Sequence, residues 1–138
     1  PFTQDQQQRF EAGRIVFQAC AACHEPDGRG RPGVSPTLHN GYWANHVSPA
    51  AAIRIALDGK AESFPAPMAP FAGLSDNDIA AVLTFIRRSW GNSASAVEAA
   101  KVGPVRALQF GGNQPWTDRQ LASIAGEPYE QERYTPGH

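Results

Sequence analysis

The chain has 138 residues, the length of one ordinary domain. Hydrophobic residues make up 41% of it and charged residues 18%, a composition that supports a packed core and excludes intrinsic disorder. The formal net charge of −1 argues against nucleic acid or a polybasic membrane contact as the main interaction. The longest apolar run, within residues 79–83, is far shorter than the ~20 residues of a membrane helix.

The first predicted helix begins at Thr3, because Thr3 and Gln6 have the spacing of a capping box. We expect this helix to run to about Cys20. Residues that can face a core recur along it at steps of three and four, at Phe10, Gly13, Phe17 and Cys20.

Two further helices are predicted in the middle of the chain. One begins at Ser48 and Pro49, a cap followed by proline, and ends near Gly59. The other begins at Ser75, carries acidic residues in its first turn, and stops at Gly91. Its buried stripe comprises Ile79, Val82, Leu83, Ile86 and Trp90. No run alternates with a period of two, so we predict an all-α fold with three main helices and long loops.

Residues 93–138 are predicted as a C-terminal extension of a domain formed by residues 1–92. Capping-box spacing at Ser95 and at Thr117 predicts two short helices, the second of which ends at Gly126. The extension is rich in aromatic residues, namely Phe110, Trp116, Tyr129 and Tyr134. These rings either wrap the extension onto its own domain, the interpretation we favour, or dock a partner.

Both cysteines of the chain lie in the run Cys20-Ala21-Ala22-Cys23-His24. A structural zinc site would need a second cysteine pair, and a thioredoxin-type redox pair would need a βαβ context that is missing here. A disulfide would close a very small loop. The interpretation we favour is covalent attachment of haem c, since thiols three positions apart on a helical turn reach both vinyl groups of one porphyrin edge. The adjacent His24 then projects beneath the iron as its proximal ligand.

An iron that only transfers electrons needs a second axial ligand. With both thiols bound to the porphyrin, the candidates are Met68, His39, His46 and His138. Met68 is the only methionine, and it lies in a proline-rich run at residues 64–71, where the restricted backbone lowers the entropy lost in holding a ligand. The alternative is that Met68 fills a gap in the core. We favour Met68 as the ligand and expect His39 and His46 to lie on the surface or behind the ligands.

From about Arg9 to Asn92 the chain resembles the small single-haem cytochromes c with His/Met-ligated iron. The features that carry the resemblance are Gly13 and Phe17, the motif at residues 20–24, Ser35-Pro36-Thr37-Leu38, Pro67-Met68-Ala69-Pro70-Phe71 and residues 74–83. Residues 84–92 are similar to a narrower branch, whose members are commonly fused to or partnered with bacterial periplasmic dehydrogenases.

The resemblance implies a cytochrome c fold around one covalently bound haem c. It further implies that the Pro36 carbonyl accepts the ring N–H of His24, which orients the imidazole and strengthens it as a donor to iron. Trp43 and Arg54 match positions whose indole and guanidinium groups lie near the haem propionates.

With both axial positions filled, the iron has no open site, and the expected function is one-electron transfer. The expected electron donor is a periplasmic redox enzyme, and we favour a dehydrogenase. The expected acceptor is a cytochrome or oxidase of higher reduction potential. The chain is then an electron-transfer subunit or domain of an oxidoreductase rather than an enzyme by itself. The alternative is a haem enzyme or a domain that binds a gas or peroxide, with Met68 labile or absent as a ligand. Because covalent haem attachment in bacteria takes place outside the cytoplasmic membrane, we expect a periplasmic location, with the signal peptide removed or lost.

Overall fold

A computed structural model describes residues 1–61, 68–108 and 114–134. These residues form six α-helices: α1 Gln4–Val16, α2 Gln18–His24, α3 Ala50–Asp58, α4 Asp76–Arg88, α5 Ala99–Ala107 and α6 Asp118–Ala125. A short 3-10 helix follows at Gln131–Tyr134. The extended pairing within the described ranges consists of isolated bridges, so the predicted all-α fold is confirmed. None of the described helices combines the length and apolar character needed to cross a bilayer.

The first predicted helix is divided in two. Its start is confirmed, because the Thr3 hydroxyl accepts the Gln6 N–H while the Gln6 side chain accepts the Thr3 N–H. Its end is wrong: α1 ends at Val16, and the cysteine motif lies on the separate helix α2. Phe17 lies at the junction and is buried, with its ring 5.3 Å from the rings of both Phe85 and Trp90. The junction is thus packed against α4 and the residues that follow it.

Helices α1 and α4 cross in close contact at Gly13. A Cβ at this position would lie 2.0 Å from the Ala81 carbonyl oxygen and 2.8 Å from the Phe85 Cβ, so only glycine permits this distance. Helix α4 begins as predicted, with the Ser75 hydroxyl accepting the Asp78 N–H at 3.1 Å. Its predicted apolar stripe is buried except at Trp90, which is half-buried beyond the helix end.

Helix α3 lies between the two halves of the core. It ends at Gly59, whose φ of 88° is a left-handed conformation that glycine adopts without strain. One core cluster joins α3 to α1, α4 and α5, and a second joins it to the C-terminal residues. The second cluster consists of Trp43, Ala51, Trp116, Leu121 and Ala122.

The two helices predicted in the extension differ in outcome. Helix α6 begins at the Thr117 capping box and ends at Gly126, as predicted. The cap predicted at Ser95 is wrong, since α5 begins only after Glu98. Several positions considered above lie outside the described residues, namely residues 64–67 of the proline-rich run, Phe110 and His138.

Candidate functional site

Helix α2 places the two cysteines one turn apart on the same side of a short helix. Cys20 is half-buried and packs against the main core cluster, whereas Cys23 is exposed. Both are free thiols in this structure, so the disulfide alternative is not realised. Burial, and secondarily the neighbouring Cys23, raises the pKa of Cys20 to about 11. Cys20 is therefore a neutral thiol near pH 7, which disfavours an activated redox pair.

His24 ends helix α2 and is buried, with 8% of its surface exposed. Its Nδ1 atom lies 3.0 Å from the Pro36 carbonyl oxygen. Burial lowers the pKa of His24, and the hydrogen bond to Pro36 only partly offsets that effect. Because a carbonyl can only accept, Nδ1 carries the proton and the Nε2 lone pair is available to bind a metal. His24 is thus a neutral, oriented imidazole.

The loop that follows α2 holds this end of the helix in place. Gly30 donates its N–H to the His24 carbonyl at 2.9 Å, Arg31 Nη2 donates to the Ala22 carbonyl at 2.8 Å, and the Ser35 hydroxyl donates to the Cys23 carbonyl. Gly30 has a φ of 72°, and a Cβ there would lie 2.5 Å from the Pro36 carbonyl oxygen. Glycine at position 30 therefore lets the carbonyl that orients His24 come this close.

Met68 is held by its backbone against the segment that follows α3. Its N–H donates to the Lys60 carbonyl at 2.8 Å, and its carbonyl accepts the Lys60 N–H at 3.2 Å. A Cβ at Gly59 would lie 2.2 Å from the Met68 carbonyl oxygen. A further hydrogen bond of 2.9 Å joins the Phe71 N–H to the Ala56 carbonyl on α3. The half-buried Met68 therefore has a fixed position relative to α3.

The other described histidines use their ring nitrogens elsewhere. His46 Nδ1 accepts the Ser48 N–H at 3.1 Å, and His46 Nε2 lies 2.8 Å from Glu127 Oε1. His39 Nε2 lies 2.6 Å from the Asp27 carbonyl oxygen, and its ring stacks on Trp90. Both ring nitrogens of His46 and the Nε2 atom of His39 are thus engaged within the chain.

Trp43 and Arg54 are both buried, but they lie beside the C-terminal extension. The Trp43 indole N–H donates to Asp118 Oδ1 at 3.0 Å, so it already has a carboxylate acceptor within the chain. The Arg54 guanidinium lies 5.0 Å from the centre of the Trp116 ring. Burial lowers the pKa of Arg54, and the charge of Asp58 partly offsets this. Contact of either residue with haem propionates remains an expectation from the resemblance.

The sequence reasoning missed the acidic partners that the extension contributes. Asp118 accepts from Trp43 and pairs with Lys60 Nζ at 2.9 Å. The only local signal at Asp118 is its place in the first turn of α6, which is where acidic residues often stabilise a helix without a distant partner. Its contact with Trp43 spans 75 positions, and no spacing rule reaches that far.

Comparison with known proteins shows which family shares these features. The family profile described as cytochrome c matches residues 10–90, more than half of the chain. The chain belongs to the cytochrome c family. The match contains the thiols of α2, His24, Pro36 and Met68.

Two relatives show which kinds of cytochrome c this chain is similar to. Cytochrome c-552 of Thermus thermophilus is 32% identical over 132 aligned positions, which cover 81% of this chain and 97% of that protein. The gluconate 2-dehydrogenase cytochrome c subunit of Pantoea cypripedii is 36% identical over 122 positions, which cover 72% of this chain but only 26% of that protein. The chain therefore matches nearly all of a small cytochrome and about a quarter of a larger subunit.

Members of this family bind covalently attached haem c, and the residues of this chain fit that group. Two reduced thiols lie one helical turn apart, and a neutral imidazole follows directly with its Nε2 lone pair available. The cofactor is accordingly haem c, and electron transfer through haem is the function that family membership supports.

Proposed function

We propose that Cys20 and Cys23 form the thioethers to haem c and that His24 and Met68 are the axial ligands. The observation that carries the proposal is the 3.0 Å contact from His24 Nδ1 to the Pro36 carbonyl, together with the burial of the ring. A buried imidazole with a fixed tautomer is suited to permanent coordination rather than to proton exchange with substrate.

When bound, the haem supplies an iron that accepts and releases single electrons. The residues around the haem site hold the ligands and set the polarity around the iron. The backbone of Met68 is held at Lys60, so coordination needs to fix only its side-chain rotations. Methionine ligation raises the reduction potential, and an apolar setting such as the core against which Cys20 packs disfavours the more highly charged ferric form. The domain is thus suited to pass electrons toward an acceptor of higher potential.

The proposed donor is a dehydrogenase that works in the bacterial periplasm. Support comes from the similarity to a gluconate 2-dehydrogenase cytochrome c subunit, and the similarity to cytochrome c-552 favours a small carrier. The test is to isolate the native chain under mild conditions and to identify the proteins that copurify with it. Recovery from the periplasmic fraction with a dehydrogenase is the expected result, and recovery from the cytoplasm with no redox enzyme contradicts this donor.

The proposed ligand set is tested with carbon monoxide, which binds ferrous haem only where a coordination position is open. We expect wild-type holoprotein to bind carbon monoxide slowly and weakly, and Met68→Ala to bind it rapidly. The matched control is His46→Ala, which removes a histidine that hydrogen-bonds within the chain and should leave the wild-type behaviour unchanged. Rapid binding by the wild type would instead favour the gas- or peroxide-binding alternative.

A further inference from the structure

The segment that holds Met68 is itself paired on its other side with the C-terminal extension. Lys60 exchanges two backbone hydrogen bonds with Met68. On the opposite edge, the Ala61 N–H donates to the Trp116 carbonyl at 2.9 Å, and the Trp116 N–H donates to the Gly59 carbonyl at 3.1 Å. Residues 59–61 are therefore the middle segment of a patch of two isolated bridges, with Met68 on one edge and Trp116 on the other.

The side chain of Trp116 fixes this edge to α3. It is buried, with 6% of its surface exposed. Its indole N–H donates to Asp58 Oδ2 at 2.8 Å, and the Arg54 guanidinium lies 5.0 Å from its ring. Both contacts are to residues on the last two turns of α3.

Asp118 adds a second point of attachment to the same patch. Its carboxylate pairs with Lys60 Nζ at 2.9 Å and accepts the Trp43 indole N–H at 3.0 Å. The side chains of this ion pair are only 16% and 15% exposed, so solvent screens it less than a surface pair. Lys60, the residue opposite Met68, is thus held by Asp118 through its side chain, while the Trp116 backbone holds its neighbours Gly59 and Ala61.

We propose that Trp116 and Asp118 form a brace that positions Met68 for coordination, an inference that rests on the proposed role of Met68 as axial ligand. The brace is needed because Gly59, at the start of this segment, has great backbone freedom and a φ of 88°. The Trp116 side chain anchors residue 116 to α3, so that its backbone stays paired with the Gly59 carbonyl and the Ala61 N–H. When that side chain is removed, these two backbone bonds lose their anchor and the segment that holds Met68 is fixed firmly on one side only. Trp116 and Asp118 are positioning residues, since they act through residues 59–61.

The consequence is a shift between two states of the ferric protein, with the Met68 sulfur on the iron or off it. An external ligand such as imidazole binds only the second state, so its apparent affinity rises with the population of that state. Loosening the Met68 segment therefore strengthens imidazole binding even where the fold is intact. A loss of stability elsewhere in the core does not have this effect.

The experiment compares Trp116→Ala with Val102→Ala in the full-length holoprotein. Val102 is a fully buried core residue of α5 in the other core cluster, so its variant controls for lost stability. We expect Trp116→Ala to raise the apparent imidazole affinity about tenfold, equivalent to about 1.4 kcal/mol. We expect Val102→Ala to bind imidazole with the wild-type affinity, although it unfolds at a lower denaturant concentration than the wild type. Equal affinities in Trp116→Ala and Val102→Ala would overturn the proposal.

A conservative variant keeps the test decisive where Trp116→Ala does not fold. Trp116→Phe retains a ring against Arg54 but cannot donate to Asp58. We expect the apparent imidazole affinity of Trp116→Phe to exceed that of the wild type by only about threefold, equivalent to about 0.65 kcal/mol. This is a smaller rise than that expected for Trp116→Ala. An affinity equal to that of the wild type would overturn the role of the Asp58 bond and with it the proposed brace. The red sulfur-to-iron charge-transfer band of the ferric wild type separates Met68 ligation from the brace. If the band is absent, Met68 is not a ligand. If the band is present and the Trp116 variants bind imidazole like the wild type, only the brace is refuted.

Discussion

Arg87 shows how one side chain can carry a structural role that its sequence context hides. Its place in the last turn of α4 is one where a basic residue often stabilises the helix terminus. Instead it is fully buried and donates to the Ser95 carbonyl at 2.8 Å, the Ala44 carbonyl at 3.2 Å and the His46 carbonyl at 2.8 Å. Burial lowers the pKa of Arg87. The residue joins α4 to the loop of Trp43 and to the start of the extension.

Glu127 organises the polar contacts around the aromatic residues of the extension. Its carboxylate accepts from four side chains: Tyr42, His46, Arg133 and Tyr134. Burial raises its pKa, but these four donors outweigh burial and lower the pKa from 4.5 to about 2. Because the pKa of the folded state lies below that of the unfolded chain, ionised Glu127 stabilises the fold above pH 4.5, and this contribution is lost as the pH falls toward about 2.

The substitution Glu127→Gln replaces the carboxylate by a neutral amide and so mimics protonated Glu127. We expect the variant to be less stable than the wild type at pH 7, and the difference to shrink as the pH falls through the range from 4.5 to about 2. Denaturant unfolding at a series of pH values measures it. The control Glu132→Gln alters an exposed carboxylate outside this network, and it should change stability at pH 7 by less than about 0.5 kcal/mol. A pH-independent difference for Glu127→Gln would contradict the assignment.

At the scale of elements, the starts of α1 and α6 were predictable because neither capping residue is engaged elsewhere. Thr3 and Thr117 cap their own helices, and both capping boxes are present. Ser95 does not, because its carbonyl accepts from Arg87 Nε and its hydroxyl accepts from Arg87 Nη2. A tertiary contact with a buried guanidinium thus replaces the local cap, and the helix starts after Glu98. Local spacing alone cannot show this competition.

The contact between α1 and α4 gives a sharp test at Gly13. A methyl group at position 13 would meet the Ala81 carbonyl at 2.0 Å, and a carbonyl on a packed helix cannot move aside cheaply. We expect Gly13→Ala to lower the free energy of unfolding by at least about 3 kcal/mol or to prevent folding. Gly73→Ala is the matched control, since a Cβ there has no atom within 4 Å, and it should change stability by less than about 0.5 kcal/mol. The comparison is made by denaturant unfolding, and similar effects of the two variants would contradict the close crossing.

At the scale of the whole molecule, the haem motif and the fold class could be predicted, but most partners across the fold could not. The motif at residues 20–24 is informative because its chemistry is local: two thiols and an imidazole on one helical turn. The orienting role of Pro36 came from resemblance, and the 3.0 Å contact with His24 agrees with it. Contacts of Trp43 with Asp118 and of Tyr42 with Glu127 join positions 75 and 85 apart, and they depend on how the extension folds back.

The C-terminal extension is joined to the cytochrome c domain rather than set apart from it in the described residues. Trp116, Leu121 and Ala122 share a core cluster with Trp43 and Ala51. The same segment pairs with residues 59–61, which hold Met68. The boundary at Asn92 remains a prediction, and these contacts are the route by which we propose that the extension positions Met68.

We propose that the haem iron of this chain is bound by a nitrogen from His24 and a sulfur from Met68. Iron K-edge X-ray absorption of the purified holoprotein tests it most directly, because sulfur and nitrogen neighbours scatter the photoelectron differently. We predict one sulfur bonded to iron in both the ferrous and the ferric protein, and its loss in Met68→Ala. A wild-type spectrum that requires only nitrogen or oxygen neighbours would contradict the account.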